Sequence, residues 1–192
     1  KKVSHYLCRA SLSDDSRLRK NANNAIYGAH GIKSRCFKYL YKHIAEDPLR
    51  TLTVIKNLVF SDVVKDWTPY ISTFIDLAEN SNRAARVKAI EILSKAVCDL
   101  PPETVAGIAR KFAADPHATS PDICGAVVQL VQSCFARLSH DAPTFLTANF
   151  VEIAHDLFRL LNAPDEAAQG VRRVLMYGVQ VISKTDPEVL KQ

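Results

Sequence analysis

Apolar residues recur every three to four positions along this chain in blocks of helix length, and each block closes at a Pro, Asn, Gly or Asp. Between residues 82 and 98, Val87, Ile90, Leu93 and Val97 form one stripe, with Arg83, Arg86, Lys88, Glu91 and Lys95 on other faces. From 121 to 139 the apolar surface widens to Ile123, Val127, Leu130, Val131, Cys134, Phe135 and Leu138, with charges only near the two ends, so this block is expected to lie near the centre of the core. Phe150, Ile153, Ala154, Leu157, Phe158 and Leu161 repeat the pattern.

The breaks have backbone causes. Thr68-Pro69, Ser120-Pro121 and Ala163-Pro164 set Pro where the first helical residue belongs, and in the first two a hydroxyl stands ready to cap. Asp47-Pro48, Leu100-Pro101-Pro102, Asp115-Pro116 and Asp186-Pro187 end one block and admit the next, because the residue before Pro is pushed out of the α region. The marks delimit nine to ten helical blocks, near 3–11, 15–29, 33–46, 49–60, 69–79, 82–98, 102–114, 121–139, 143–161 and 165–184, the first being the least regular. Strand signals are weak: no Asn-Gly or Asp-Gly hairpin occurs, and the β-branched run from Thr51 to Val54 lies inside helical periodicity. An all-α chain of antiparallel helices with short connections is expected, one continuous domain over 1–192, with 1–32 as a less regular basic segment. Gly107, Gly125 and Gly178 fall inside predicted helices, where close approach of a neighbouring helix is the simplest reason for them.

Charge changes this picture in one place. Residues 1–56 carry twelve Lys and Arg against four Asp and Glu, a net of +8, while the remaining 136 residues sum to −3. The five cysteines are odd in number and show no CxxC or zinc-ligand spacing. They read as reduced core thiols of an intracellular protein, nuclear or cytoplasmic. No apolar run reaches the roughly 18 to 20 residues that a bilayer span requires, and the chain is expected to be part of something larger.

The helix starts at 48, 69, 101, 121, 143 and 164, with one near 82, imply helix pairs recurring about every 33 to 43 residues. The stretch from Trp67 to Leu93 has a first helix ending in Leu77, a polar turn with Asn80 and Asn82, and a second helix opening on Arg83-Ala84-Ala85-Arg86. It resembles the HEAT/armadillo type of helical repeat, a resemblance specific over about 27 residues. What it implies is a short α-solenoid of stacked hairpins and a scaffold role.

The most suggestive local cluster is Lys33-Ser34-Arg35-Cys36-Phe37-Lys38-Tyr39-Leu40-Tyr41-Lys42-His43. On a helix Arg35, Lys38 and Lys42 share a face able to neutralise phosphates or carboxylates, with Phe37, Leu40, Tyr41 and Ile44 opposite. Lys33, Arg35, Lys38 and Lys42 are therefore the candidate contacts for nucleic acid or an acidic partner, against the plain alternative of a solvated basic face. Tyr39 and Trp67 are candidate groove aromatics, although Trp67, just before Thr68, reads first as a staple against the first turn of the helix that follows it. The histidines are scattered, and Ser139-His140-Asp141 and His155-Asp156 place neighbours about 100° apart on a helix, a poor geometry for a triad. No phosphate-cradling glycine motif is present, so no cofactor, metal or small-molecule substrate is implied. The expected function is a non-catalytic scaffold or adaptor that binds a protein partner within a larger complex; the competing reading is an RNA- or DNA-associated assembly factor, and a helical enzyme domain completed elsewhere comes third.

Overall fold

The computed structural model describes residues 2–59, 63–118, 120–162 and 165–191, with only the backbone of His30, Asn162, Asp165 and Glu166. Among these residues there are ten α-helices and no strand. They are α1 (Lys2–Ser11), α2 (Ser16–Gly28), α3 (Lys33–Lys42), α4 (Pro48–Val59), α5 (Ile71–Asn80), α6 (Arg83–Ala96), α7 (Pro102–Ala113), α8 (Pro121–Asp141), α9 (Pro143–Phe158) and α10 (Asp165–Thr185). Most of the expected helix limits lie within two residues of these, because side chains and prolines at the starts do what their chemistry dictates. Asp15 Oδ1 accepts from the amides of Arg17 and Leu18 at 2.8 and 3.0 Å. Asp47 Oδ1 accepts from Arg50 N at 3.1 Å, and Asn82 Oδ1 from Ala85 N at 3.1 Å.

Two expected caps differ. Thr68-Pro69-Tyr70 forms a turn, with Tyr70 N donating to Trp67 O at 2.9 Å and Thr68 N to Asp66 Oδ1 at 2.9 Å, and α5 starts only at Ile71. Before α8 the Ser120 hydroxyl is buried without a hydrogen-bond partner among the described residues; Pro121 at the first position and Ser120 O, which accepts from Cys124 N at 2.9 Å, carry that start. Ala163-Pro164 lies outside the described residues.

Where the sequence suggests one continuous domain, packing groups the chain into two compact units, Lys1–Ile92 and Leu93–Gln192, the division falling within α6. In the first unit α1 packs on α2 and α3, and α4 on α2 and α3. Its core includes a five-ring cluster: Phe37 meets Trp67 and Tyr70 edge-on at 5.9 and 5.1 Å, Tyr41 meets Tyr70 at 4.7 Å, and Phe74 meets Trp67 at 6.0 Å. Across the short connection from α5 to α6, Arg86 Nε donates to Ala78 O at 2.7 Å. That bond satisfies one of the last carbonyls of α5.

In the second unit α8 packs on α7, α9 and α10, α7 packs on α9, and α9 on α10. The core is mainly aliphatic, and α8 has the buried residues expected of a central helix, Ile123, Val127, Leu130, Val131, Cys134, Phe135 and Leu138 among them. A Cβ added at Gly178 of α10 would fall 2.3 Å from Phe150 Cε2, and one at Gly170 2.8 Å from Val128 Cγ1. Gly178 thus permits the close approach expected of it. Gly107 and Gly125 do not, for a Cβ at either position meets nothing within 4 Å. Arg159, just past α9, donates to Ala113 O at 2.6 Å and to Asp115 O at 2.9 Å, closing the end of α7.

Candidate functional site

The basic cluster lies on α3, and helix geometry divides it. Arg35, Lys38 and Lys42 occupy one exposed arc, and among the described residues none of the three meets a carboxylate. Lys33 departs from the expected set. Two residues before Arg35, it is rotated by about 200°, which turns it to the face that buries Cys36, Phe37 and Leu40, and it is only 8% exposed. Two other cations of this unit are engaged. Arg50 Nη1 meets Asp14 Oδ1 at 2.7 Å, and Lys56 Nζ meets Glu91 Oε2 at 2.7 Å.

Lys38 also borders a cleft of about 490 Å³ lined by Lys33, Lys38, Lys65, Phe37 and Tyr70, among others. Asp66, in the same lining, accepts from Thr68 N.

The two candidate groove aromatics part ways. Trp67 is 3% exposed and sits inside the five-ring cluster, so it lines no groove. It packs against Phe74 in the first turn of α5, because the turn at 68–70 folds it back under the helix. Tyr39 is half-buried at the surface, its ring 4.8 Å from that of His5 of α1 and 4.5 Å from that of His43. His43 Nδ1 pairs with Glu46 Oε1 at 2.7 Å. The i, i+4 pairing of Tyr39 with His43 is readable from the sequence; the approach of His5 comes from the packing of α1 on α3.

Elsewhere, Cys8, Cys36, Cys124 and Cys134 are buried free thiols, whereas Cys98 is exposed. A hydrogen bond with Cys36 and burial push the Cys8 thiol up, and burial, with the charge of Cys98 adding to it, does so for Cys134, so neither offers a ready thiolate nucleophile. The second unit has an open cleft of about 560 Å³ lined by Ser139, His140, Tyr177 and Lys184, among others. There Ser139 Oγ donates to Ala136 O at 2.9 Å and bonds Tyr177 OH at 2.6 Å, while His140 pairs with Asp141. Serine and histidine are thus each directed to other partners. Among the described residues no three His, Cys, Asp or Glu side chains converge, and no helix is long and apolar enough to cross a membrane.

Comparison with family models, curated proteins and solved structures finds no match to this chain.

Proposed function

We propose that this chain is a non-catalytic helical scaffold, part of a larger complex, that recruits a polyanionic partner through the basic face of its first unit. The observation that carries the reading is the arc of Arg35, Lys38 and Lys42, exposed and unmatched by any carboxylate among the described residues. Three like charges on adjacent turns repel one another, so such an arc lowers its energy when an anion covers it. Neighbouring Arg50 and Lys56 are neutralised within the chain, whereas the three cations of α3 are not.

The HEAT-like reading is supported by the packing order. From α1 to α4 and from α7 to α10 helices touch the next and the next but one, as in α1 on α2 and α3 or α8 on α9 and α10, and the connection from α5 to α6 is short and capped. This is how stacked helical pairs cover one another's apolar faces.

Two partner classes fit an anion-seeking face, an acidic protein and a nucleic acid. The rings of His5, Tyr39 and His43 beside the cations favour the second. The reading is tested on immobilised heparin, a generic polyanion. The wild-type chain is expected to be retained, and the charge reversal Arg35→Glu/Lys38→Glu/Lys42→Glu to elute at clearly lower salt with an unchanged melting temperature. Equal elution of the two proteins would defeat the proposal.

A further inference from the structure

We infer that the joined surface of α1 and α3 is a track for single-stranded nucleic acid, with bases stacking on the His5, Tyr39 and His43 rings and cations on both helices holding the phosphates. This rests on the polyanion reading above and names the class of partner. It begins from the register of the two helices. Cys8 Sγ lies 3.9 Å from Cys36 O, and the ring of His5 lies 4.8 Å from that of Tyr39. As α1 retreats three residues from Cys8 to His5, its contact on α3 advances three, so the two helices run antiparallel. The same register sets Arg9 level with Arg35 and Lys2 level with Lys42.

Lys2, His5 and Arg9 are spaced i, i+3, i+7, which places them on one stripe of α1, and all three are exposed. Among the described residues neither Lys2 nor Arg9 meets a carboxylate. The surface therefore reads, from one side to the other, as cations of α1, a seam of three rings, and cations of α3. Its length from Arg35 to Lys42 is seven residues, about 10 Å at 1.5 Å per residue. A strand offers a phosphate every 3.4 Å or more, so the track spans roughly two to three nucleotides.

The seam decides between polyanions. An acidic peptide without aromatic residues can use the cations but has no flat face to lay on the rings. A duplex can use the cations too, yet its bases are already stacked on one another. A single strand exposes both charge and flat apolar faces, and because every base has a π face the stacking is tolerant of sequence. Glu46, the carboxylate at one end of the seam, is occupied with His43 Nδ1 and holds that ring in place.

The test is fluorescence anisotropy of the full chain with a labelled oligoadenylate of 12 nucleotides at about 50 mM salt. His5→Ala and Tyr39→Ala are each expected to weaken binding about fivefold or more, while Tyr39→Phe, which keeps the ring, retains it. Lys2→Gln/Arg9→Gln is expected to flatten the plot of log affinity against log salt by about 0.7 for each phosphate that is no longer neutralised. His5 is exposed, so its replacement keeps the test independent of folding. Unchanged affinity in both ring variants, or equal competition by a polyglutamate peptide or a 12-base-pair duplex, would overturn the single-strand inference while leaving the polyanion reading intact. A wild-type chain that binds neither heparin nor the oligonucleotide would remove both.

Discussion

The two halves of this molecule solve the same packing problem with different materials. The first unit fills its core beside α3 and α5 with five large rings, and these also anchor the non-helical residues 63–70 that lead into α5. The second unit joins regular helices through close approach, where Gly170 and Gly178 let α10 settle against Val128 and Phe150. Rings can cover an irregular chain because each presents a large surface in few torsions. Small residues suit only helices that already run straight past one another. The difference extends to the surface: the unit built on rings also displays basic α3, with Tyr39 at its edge.

The sharpest way to break this comparison is to remove a ring. Phe37 is 2% exposed and touches Tyr41, Trp67 and Tyr70. Phe37→Ala is expected to cost about 3–5 kcal/mol in urea-induced unfolding, the range for a buried Phe that leaves a cavity. A loss below about 1 kcal/mol would mean that the cluster collapses readily and does not define the unit.

A second contrast uses one substitution at two glycines of the second unit. Gly178→Ala drives a methyl into Phe150 and Phe135 and is expected to destabilise by about 1–3 kcal/mol. Gly107→Ala, inside α7 with open space at the Cβ, is expected to stabilise by about 0.5–1 kcal/mol, since Ala loses less chain entropy on entering a helix. Thermal melts of the two variants should move in opposite directions. Shifts of the same sign would show that the second unit does not depend on close approach.

These glycines also mark the limit of what the sequence discloses. Helix limits are legible because Pro, Asp and Asn act on their own neighbours, as at Asp15, Asp47 and Asn82. Which side of a helix meets another is legible only where the stripe is strong. Gly107, Gly125 and Gly178 look alike in sequence, and only the crossing of α10 over Phe150 separates them. Lys33 shares a basic run with Arg35 and Lys38, yet its 200° rotation withdraws it from their face. Trp67 stands in a stretch without periodicity, where its place before Thr68-Pro69 suggests a staple onto the next helix but no spacing rule shows the ring cluster around it. Three of the four basic candidates and Tyr39 reach the surface as the spacing implies; the contribution of α1 belongs to tertiary structure alone.

The smallest expected effect separates the units by their ion pairs. Burial would raise the Glu91 carboxyl, but hydrogen bonds from Lys56 and Lys88 at 2.7 and 3.1 Å outweigh it and hold the group below its ordinary 4.5. A depressed carboxyl contributes stability that is fully present above the ordinary value and is lost as pH falls through the folded one. Glu91→Gln should therefore lower stability by about 0.5–1 kcal/mol at neutral pH, discounted for partial exposure, with the gap in melting temperature closing below about pH 4. In the second unit Arg110 and Glu152 stand 3.7 Å apart with side chains 47% and 63% exposed, and Glu152→Gln should change stability little at any pH. Should Glu91→Gln instead leave a gap that does not vary with pH, its cost would come from packing, and the two units would differ in their cores but not in their use of charge.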